Sequence, residues 1–251
     1  MIIPWGVRRQ LLYYAVATVL VVVIGYVSWH AFLSRAPTCQ DGVKNGSEVG
    51  VDCGGSCALV CKADVEPLRL LWVRAFPQDA QHYSVVAYIE NANIGSGAKQ
   101  VRYLLRLFDD KNSLVVEREG RTDIPPIQTV PILETNIDVG NRTVARALFE
   151  FTSEPTWNRV SPDKLPPLRI ADQRLEADGT RLTGTLVNET LDEVRNIRLV
   201  AIVFDTNGVA RGASQTLITR LARQSSEPII FTWPNGFEDV ARAEITILPT
   251  F

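Results

Sequence analysis

Between Arg9 and Arg35 the chain carries no charged residue, and this interval limits the fold more than any other feature. The run LLYYAVATVLVVVIGYVSWHAFL, Leu11 to Leu33, would be apolar on every face of a helix. At about 1.5 Å per residue it would extend roughly 35 Å, against a hydrocarbon core of about 30 Å. A helix satisfies its own backbone hydrogen bonds, as lipid requires. The sequence therefore predicts one transmembrane helix over 11–33, in contact with the lipid bilayer, and a short cytoplasmic tail over 1–10. Trp5, Tyr13, Tyr14 and Trp29 suit the two membrane interfaces. A cleaved signal peptide is the rival reading, because Arg8 and Arg9 precede the run and Ser34-Arg35-Ala36 offers small residues for cleavage. The run is longer than the roughly 7–15 apolar residues of a secretory core, which favours a retained signal-anchor. The paired arginines read as topology charges rather than a twin-arginine signal, and RAPT before Cys39 is not a lipobox. Arg35 and Lys44 beyond the span nearly balance Arg8 and Arg9, so charge alone barely orients the helix.

The cysteines orient it. All four, Cys39, Cys53, Cys57 and Cys61, fall within one short segment, and none occurs later. An even number clustered beside a membrane span predicts disulfides in an oxidising compartment, and hence C-terminal domains outside the cytoplasm. Four cysteines allow three pairings, and spacing does not choose among them. The segment has too few large apolar residues to build a core, so cross-links supply the order. A zinc site is the alternative, but its usual C-x2-C knuckles are absent, and C-x3-C-x3-C does not match an iron–sulfur motif. Asp41, Asn45, Glu48 and Asp52 alternate with Gly42, Gly46 and Gly50. They are candidate calcium ligands, although the same residues are ordinary turn formers and the spacing is not that of an EF-hand. CQDGVKNGSEVGVDCGGSC resembles a short motif, C-x-D-G-x-x-N-G-x-E-x-x-x-D-C-G-G-x-C, of exported bacterial and metazoan proteins. That resemblance implies an extracytoplasmic location and no activity.

After Lys62 the pattern changes to period-two alternation between turns, which predicts strands. LRLLWVRAF, YSVVAYIE, VRYLLRLFDD, VPILETNIDV and TVARALFEF form a first set. TSEPTWNRVSPDKLPP reads as a linker. PLRIADQRLEADG, RLTGTLVN, VRNIRLVAIVFD, GASQTLITRL, PIIFTW and ARAEITIL form a second set. The sets align with each other: Phe108-Asp109 matches Phe204-Asp205, and VARALFEF from Val144 matches VARAEITI from Val240, both at an offset of 96. IENANIGSGAKQVRYLL aligns with LVNETLDEVRNIRLVAI after a one-residue gap. Two matches at one spacing point to duplication. The expected fold class is mainly β: a transmembrane helix, a disulfide-linked segment over 37–62, and two β-sandwiches over 66–153 and 167–251 with a linker at 154–166. Ile197, Leu199, Ala201 and Val203 would share one face of a strand, and Val200, Ile202 and Phe204 the other. With both faces apolar, this strand is expected at the centre of a sheet. Asp109 and Asp205 follow an aromatic residue at a hairpin and are read as turn-structural residues.

LRLFD, Leu105 to Asp109, and AIVFD, Ala201 to Asp205, resemble the signature of the FxLYD family, small immunoglobulin-like sandwiches of exported proteins. The leading Phe is Leu or Ala here, and the Tyr is Phe. The resemblance implies exposed sandwiches and brings no catalytic residues.

Candidates for chemistry are few. The chain has two histidines, His30 at the membrane interface and His82 at a strand start, and no nucleophile motif accompanies either. NIGSGAKQ, 93–100, lacks the helix that phosphate cradling needs. A net charge of −2 without a basic stripe speaks against nucleic acid. Sequons at Asn45, Asn141 and Asn188 matter only in a glycosylating host. No catalytic residue, firm metal site or cofactor is expected. The sequence predicts a non-catalytic interaction or structural protein of the cell envelope, acting as a spacer or adaptor for an unknown partner. The alternative is a ligand- or calcium-binding ectodomain working with a membrane partner.

Overall fold

The computed structural model describes residues 4–30, 38–127, 129–161 and 165–248. The chain divides into two compact units, Met1–Cys57 and Ala58–Phe251.

The first unit opens with α1, Trp5–Ser28, whose residues are all exposed. Its 24 residues, with a mean hydropathy of 2.2 over an 18-residue stretch, make it a candidate membrane anchor. The helix starts before Leu11 and takes in Arg8 and Arg9 from the expected tail. Arg9 lies over the rings of Trp5 and Tyr13, at 5.7 and 5.6 Å, and its Nε donates to Tyr13 Oη at 3.0 Å. Residues 31–33 of the expected span and residue 37 of the expected Cys-rich segment lie outside the described residues.

The second unit is mainly β. A 3₁₀ turn, Lys62–Asp64, leads into β1 (Arg69–Pro77), β2 (His82–Glu90), β3 (Ser96–Phe108), β4 (Leu114–Ile124), β5 (Thr129–Asp138), β6 (Arg146–Phe151) and β7 (Trp157–Arg159). There follow β8 (Leu168–Leu175), β9 (Arg181–Asn188), β10 (Val194–Asp205), β11 (Ala210–Leu221), β12 (Ser225–Thr232) and β13 (Val240–Leu248). Among the described residues all strand pairings are antiparallel. The N-terminal sandwich sets β1-β2-β5 against β4-β3-β6, with β7 also on β3; the C-terminal sandwich sets β12-β9-β8 against β11-β10-β13.

Two segments differ from the sequence reading. The stretch 154–166, read as a linker, contains β7, where Trp157 pairs with Ala98 and is buried in the first sandwich core. A large aromatic surrounded by polar residues and prolines gives no period-two signal, so a three-residue strand passes unseen. β4 gives no clear strand signal in the sequence, because LVVEREGRTDI lies at a sheet edge and its side chains include Glu117, Arg118, Glu119 and Arg121. Arg106 on β3 bonds both Glu117 and Glu150 across the outer face. At Gly120 the Tyr103 ring of the paired strand occupies the place a Cβ would take, 2.3 Å from it.

Strand β10 lies between β11 and β13 and is buried on both faces. Ile197, Leu199, Ala201 and Val203 point into the C-terminal core with Leu182, Leu186, Ile229 and Phe231. Val200, Ile202 and Phe204 join Phe76 and Val86 of the N-terminal sandwich in a separate apolar cluster. Strand β2 is used the same way, with Val85, Ala87 and Ile89 facing its own core and Val86 facing the other sandwich. At one rim of this contact Arg74 Nη1 donates to the Ala210 carbonyl at 2.8 Å, beside β1. At the other, Arg198 lies near Leu133 and Thr135 of β5. β10 therefore runs across the β1-β2-β5 sheet rather than along it, and the sandwiches meet face to face with crossed strands.

Candidate functional site

The Cys-rich segment is held by the disulfide Cys39–Cys57, with a Cα–Cα distance of 5.6 Å, and Cys53 and Cys61 are also disulfide-bonded. Cys39, Glu48 and Cys57 approach as a three-ligand cluster would, but disulfide sulfurs are not thiolates and offer no zinc site. Cys57 Sγ is 3.4 Å from Glu48 Oε1 and, as a disulfide sulfur, has no proton to donate.

The candidate calcium ligands are brought close together, and their oxygens already accept hydrogen bonds. Asp52 Oδ1 accepts from the Asp41 backbone N–H at 3.0 Å, and its Oδ2 from Gly42 N–H at 2.9 Å. Glu48 Oε2 accepts from the Asn45 and Asp52 N–H groups at 3.2 and 3.3 Å. Asp41 accepts from Asn45 Nδ2 at 2.8 Å and from Val43 N–H at 3.0 Å. The Asn45 bond, and then the Val43 N–H, hold the Asp41 carboxyl below its ordinary range. The three carboxylates thus do the work of a missing core, tying the backbone of one loop to another. Gly55 is required by the same packing: its φ is +56°, and a Cβ there would lie 1.8 Å from the Ser47 carbonyl oxygen. Asn45 Oδ1 is buried without a hydrogen-bond partner.

Asp109 and Asp205 occupy equivalent turns. Asp109 Oδ1 accepts from Lys111 and Ser113 N–H at 3.0 and 2.8 Å; Asp205 Oδ1 accepts from Asn207 and Val209 N–H, both at 2.9 Å. Asn112 and Gly208 carry the positive φ that each turn needs, 61° and 74°. Arg142 pairs with Asp109 at 2.7 Å. That guanidinium, and then the Ser113 N–H, hold the Asp109 carboxyl below its ordinary value. A depressed carboxyl stabilises the fold above its unfolded pKa of about 3.9 and loses that contribution as pH falls through its folded value. Asp109→Asn is therefore expected to flatten part of the acid limb of stability against pH, below about pH 4. Thermal melts stepped in pH would read this, and an unchanged acid limb would remove Asp109 from the account.

Two residues with a strong structural role were not singled out for it from sequence. Asn91 follows directly on β2 and Asn188 ends β9, and both are buried. Asn91 Nδ2 donates to the Ser96 and Pro125 carbonyls, and its Oδ1 accepts from Asn93 N–H. Asn188 Nδ2 donates to Asp192 and Ala222, and its Oδ1 accepts from Thr190 N–H. Each amide clamps two loops. The aligned pairs EN, 90–91, and VN, 187–188, before the one-residue gap carry the signal, which the sequon at Asn188 masks. Burial removes it as an accessible acceptor, whereas Asn141 is exposed. His82 Nδ1 lies 3.0 Å from Asp79, which also accepts the Gln81 and His82 N–H groups and so caps the β1–β2 turn. His30 lies against the Tyr26 ring at 4.6 Å.

No protein-family model matches this chain, and no curated protein matches it. Among solved structures, red sea bream transglutaminase is similar at 13% identity with a TM-score of 0.24, over 74% of this chain and 29% of that one. The chain thus spans less than a third of that protein. The N-terminal CBM22-1–CBM22-2 tandem domain of Paenibacillus barcinonensis Xyn10C is similar at 9% identity with a TM-score of 0.15, over 87% of this chain and 92% of that one. Scores this low do not reach a shared fold.

Proposed function

We propose that the chain is a single-pass membrane protein whose C-terminal domains lie outside the cytoplasm and act without catalysis, as a docking or structural module of the cell envelope. Two tandem FxLYD-type immunoglobulin-like sandwiches form its working part. The observation that carries this reading is the apolar contact of Phe76 and Val86 with Val200, Ile202 and Phe204, which joins the sandwiches into one body. A fixed pair of sandwiches offers a broad, preorganised surface at low entropic cost. Crossed packing favours the adaptor sense over a spacer, since it adds surface more than reach. Duplication is supported by the identical pairing order of β1–β6 and β8–β13. It is further supported by the turns at Asp109 and Asp205, and by Arg146 and Arg242 over the Phe108 and Phe204 rings. The all-exposed α1 supports the anchor, and the oxidised cysteines support the outward orientation.

Protease added to intact cells or spheroplasts is expected to digest the domains beyond the anchor while the N-terminal tail stays protected. Full protection of the C-terminal domains would overturn the topology. Crosslinking in the native membrane should then recover one reproducible protein attached through the sandwiches.

The second reading, a calcium-binding ectodomain, is favoured by the unpartnered Asn45 Oδ1. The engagement of Asp41, Glu48 and Asp52 by backbone N–H groups weighs against it, and added calcium is expected to leave the melting temperature of the full chain unchanged. A calcium-dependent rise that Asp52→Ala abolishes would select the second reading.

A further inference from the structure

The row that β10 presents to the N-terminal sandwich, Val200, Ile202 and Phe204, is apolar; the next residue on that face is Arg198. Its neighbours across the sheet are Leu217 on β11 and Leu248 on β13. Beside it, where the two sandwiches meet, is a cleft of about 550 Å³ lined by Leu133, Glu134, Arg198, Gln215, Thr216 and Leu217, among others. That volume is in the range of small-molecule sites, about 300–1,000 Å³, which favour the junctions of domains.

The charges of the cleft do not balance. Glu134 Oε1 accepts from the Tyr103 hydroxyl, and its Oε2 from Arg118 Nη1 at 3.3 Å. Burial, and then Glu134 itself, push the Tyr103 phenol well above its ordinary pKa, so it remains a proton donor. The Glu134 carboxylate is therefore compensated within the N-terminal sandwich, on the face of β5 that carries Ile132. Arg198 is not: among the described residues no carboxylate lies within ion-pair distance of it. Arg74, at the other rim of the same contact, spends its guanidinium on the Ala210 carbonyl. The cleft thus carries one uncompensated positive charge between aliphatic walls.

We infer that this cleft binds a small monocarboxylate bearing hydroxyl groups, such as a sugar acid. Arg198 takes the carboxylate through its forked N–H donors. Gln215, on the same face of β11 as Leu217, bonds a hydroxyl, while Leu133 and Leu217 cover the carbon skeleton. A dianion is disfavoured because Arg198 is the one cationic side chain among the cleft's lining residues. The inference goes beyond the adaptor reading and does not depend on it, since the site needs only the crossing of the sandwiches and no protein partner.

The test is isothermal titration of the full chain in detergent micelles with D-glucuronate, D-galacturonate and D-gluconate, and with D-glucose as the neutral control. At least one acid is expected to bind saturably, and glucose about tenfold more weakly or worse. Arg198→Gln should weaken the acid about tenfold or more while leaving the ligand-free melting temperature unchanged. Leu217→Trp, a substitution at an exposed wall position, should block the cleft and abolish binding. The inference is overturned if none of the three acids binds, if glucose matches the best acid, or if Arg198→Gln or Leu217→Trp binds as the parent does.

Discussion

A chain carrying Ile202→Asp is expected to lose about 4 kcal/mol or more of stability, the range in which an uncompensated charge is buried. Ile202 is 1% exposed, and its side chain lies in the cluster that joins the two sandwiches. The substitution removes an aliphatic contact and sets a carboxylate among Phe76, Val86, Val200 and Phe204. The sandwich cores themselves are not touched, because Ile197, Leu199, Ala201 and Val203 point the other way. The denaturation curve of the full chain in detergent should therefore split or broaden, as the sandwiches part before either core melts. Leu148→Asp is the control: Leu148 is 42% exposed on β6, and such a change usually stays within about 0.5 kcal/mol. Equal curves for parent and Ile202→Asp would mean that the contact between the sandwiches does not stabilise them.

The second large effect is expected at Asn188. Asn188→Leu keeps the volume but withdraws two donors from the Asp192 and Ala222 carbonyls and one acceptor from the Thr190 backbone. With each orphaned group costing about 1–3 kcal/mol, a loss of about 3 kcal/mol or more follows. Hydrogen exchange should locate the damage in the β9–β10 and β11–β12 loops, leaving the N-terminal sandwich protected. Asn91→Leu should produce the mirror result in the first sandwich. A loss below about 1 kcal/mol in both variants would contradict the clamp role.

These two sites also mark where sequence reading succeeds and where it stops. The central place of β10 was legible, because a strand apolar on both faces has no solvent side. What covers its outer face was not legible from that strand alone. The aligned halves hold a clue: the outward positions Leu104, Arg106 and Phe108 of β3 correspond to Val200, Ile202 and Phe204 of β10. Arg106 faces water and pairs with Glu117 and Glu150, while Ile202 faces the other sandwich. One substitution of charge for aliphatic thus distinguishes the solvated sheet from the docked one. β4 stayed hidden because an edge strand with a charged outer face loses its alternation. The disulfide pairing was illegible, since four cysteines close together leave every pairing sterically open. The carboxylates of the Cys-rich segment were legible as a cluster, but which donors they would meet depends on how two loops come together.

The Cys39–Cys57 bridge has a consequence for slack. An unbridged chain of that separation, 18 residues, could be drawn out to roughly 60 Å at about 3.4 Å per residue. Bridged, its ends stay 5.6 Å apart whatever tension is applied. In the proposed membrane-anchored arrangement this segment would lend almost no length under a pull, and reduction of this one bond would pay out tens of ångströms of line.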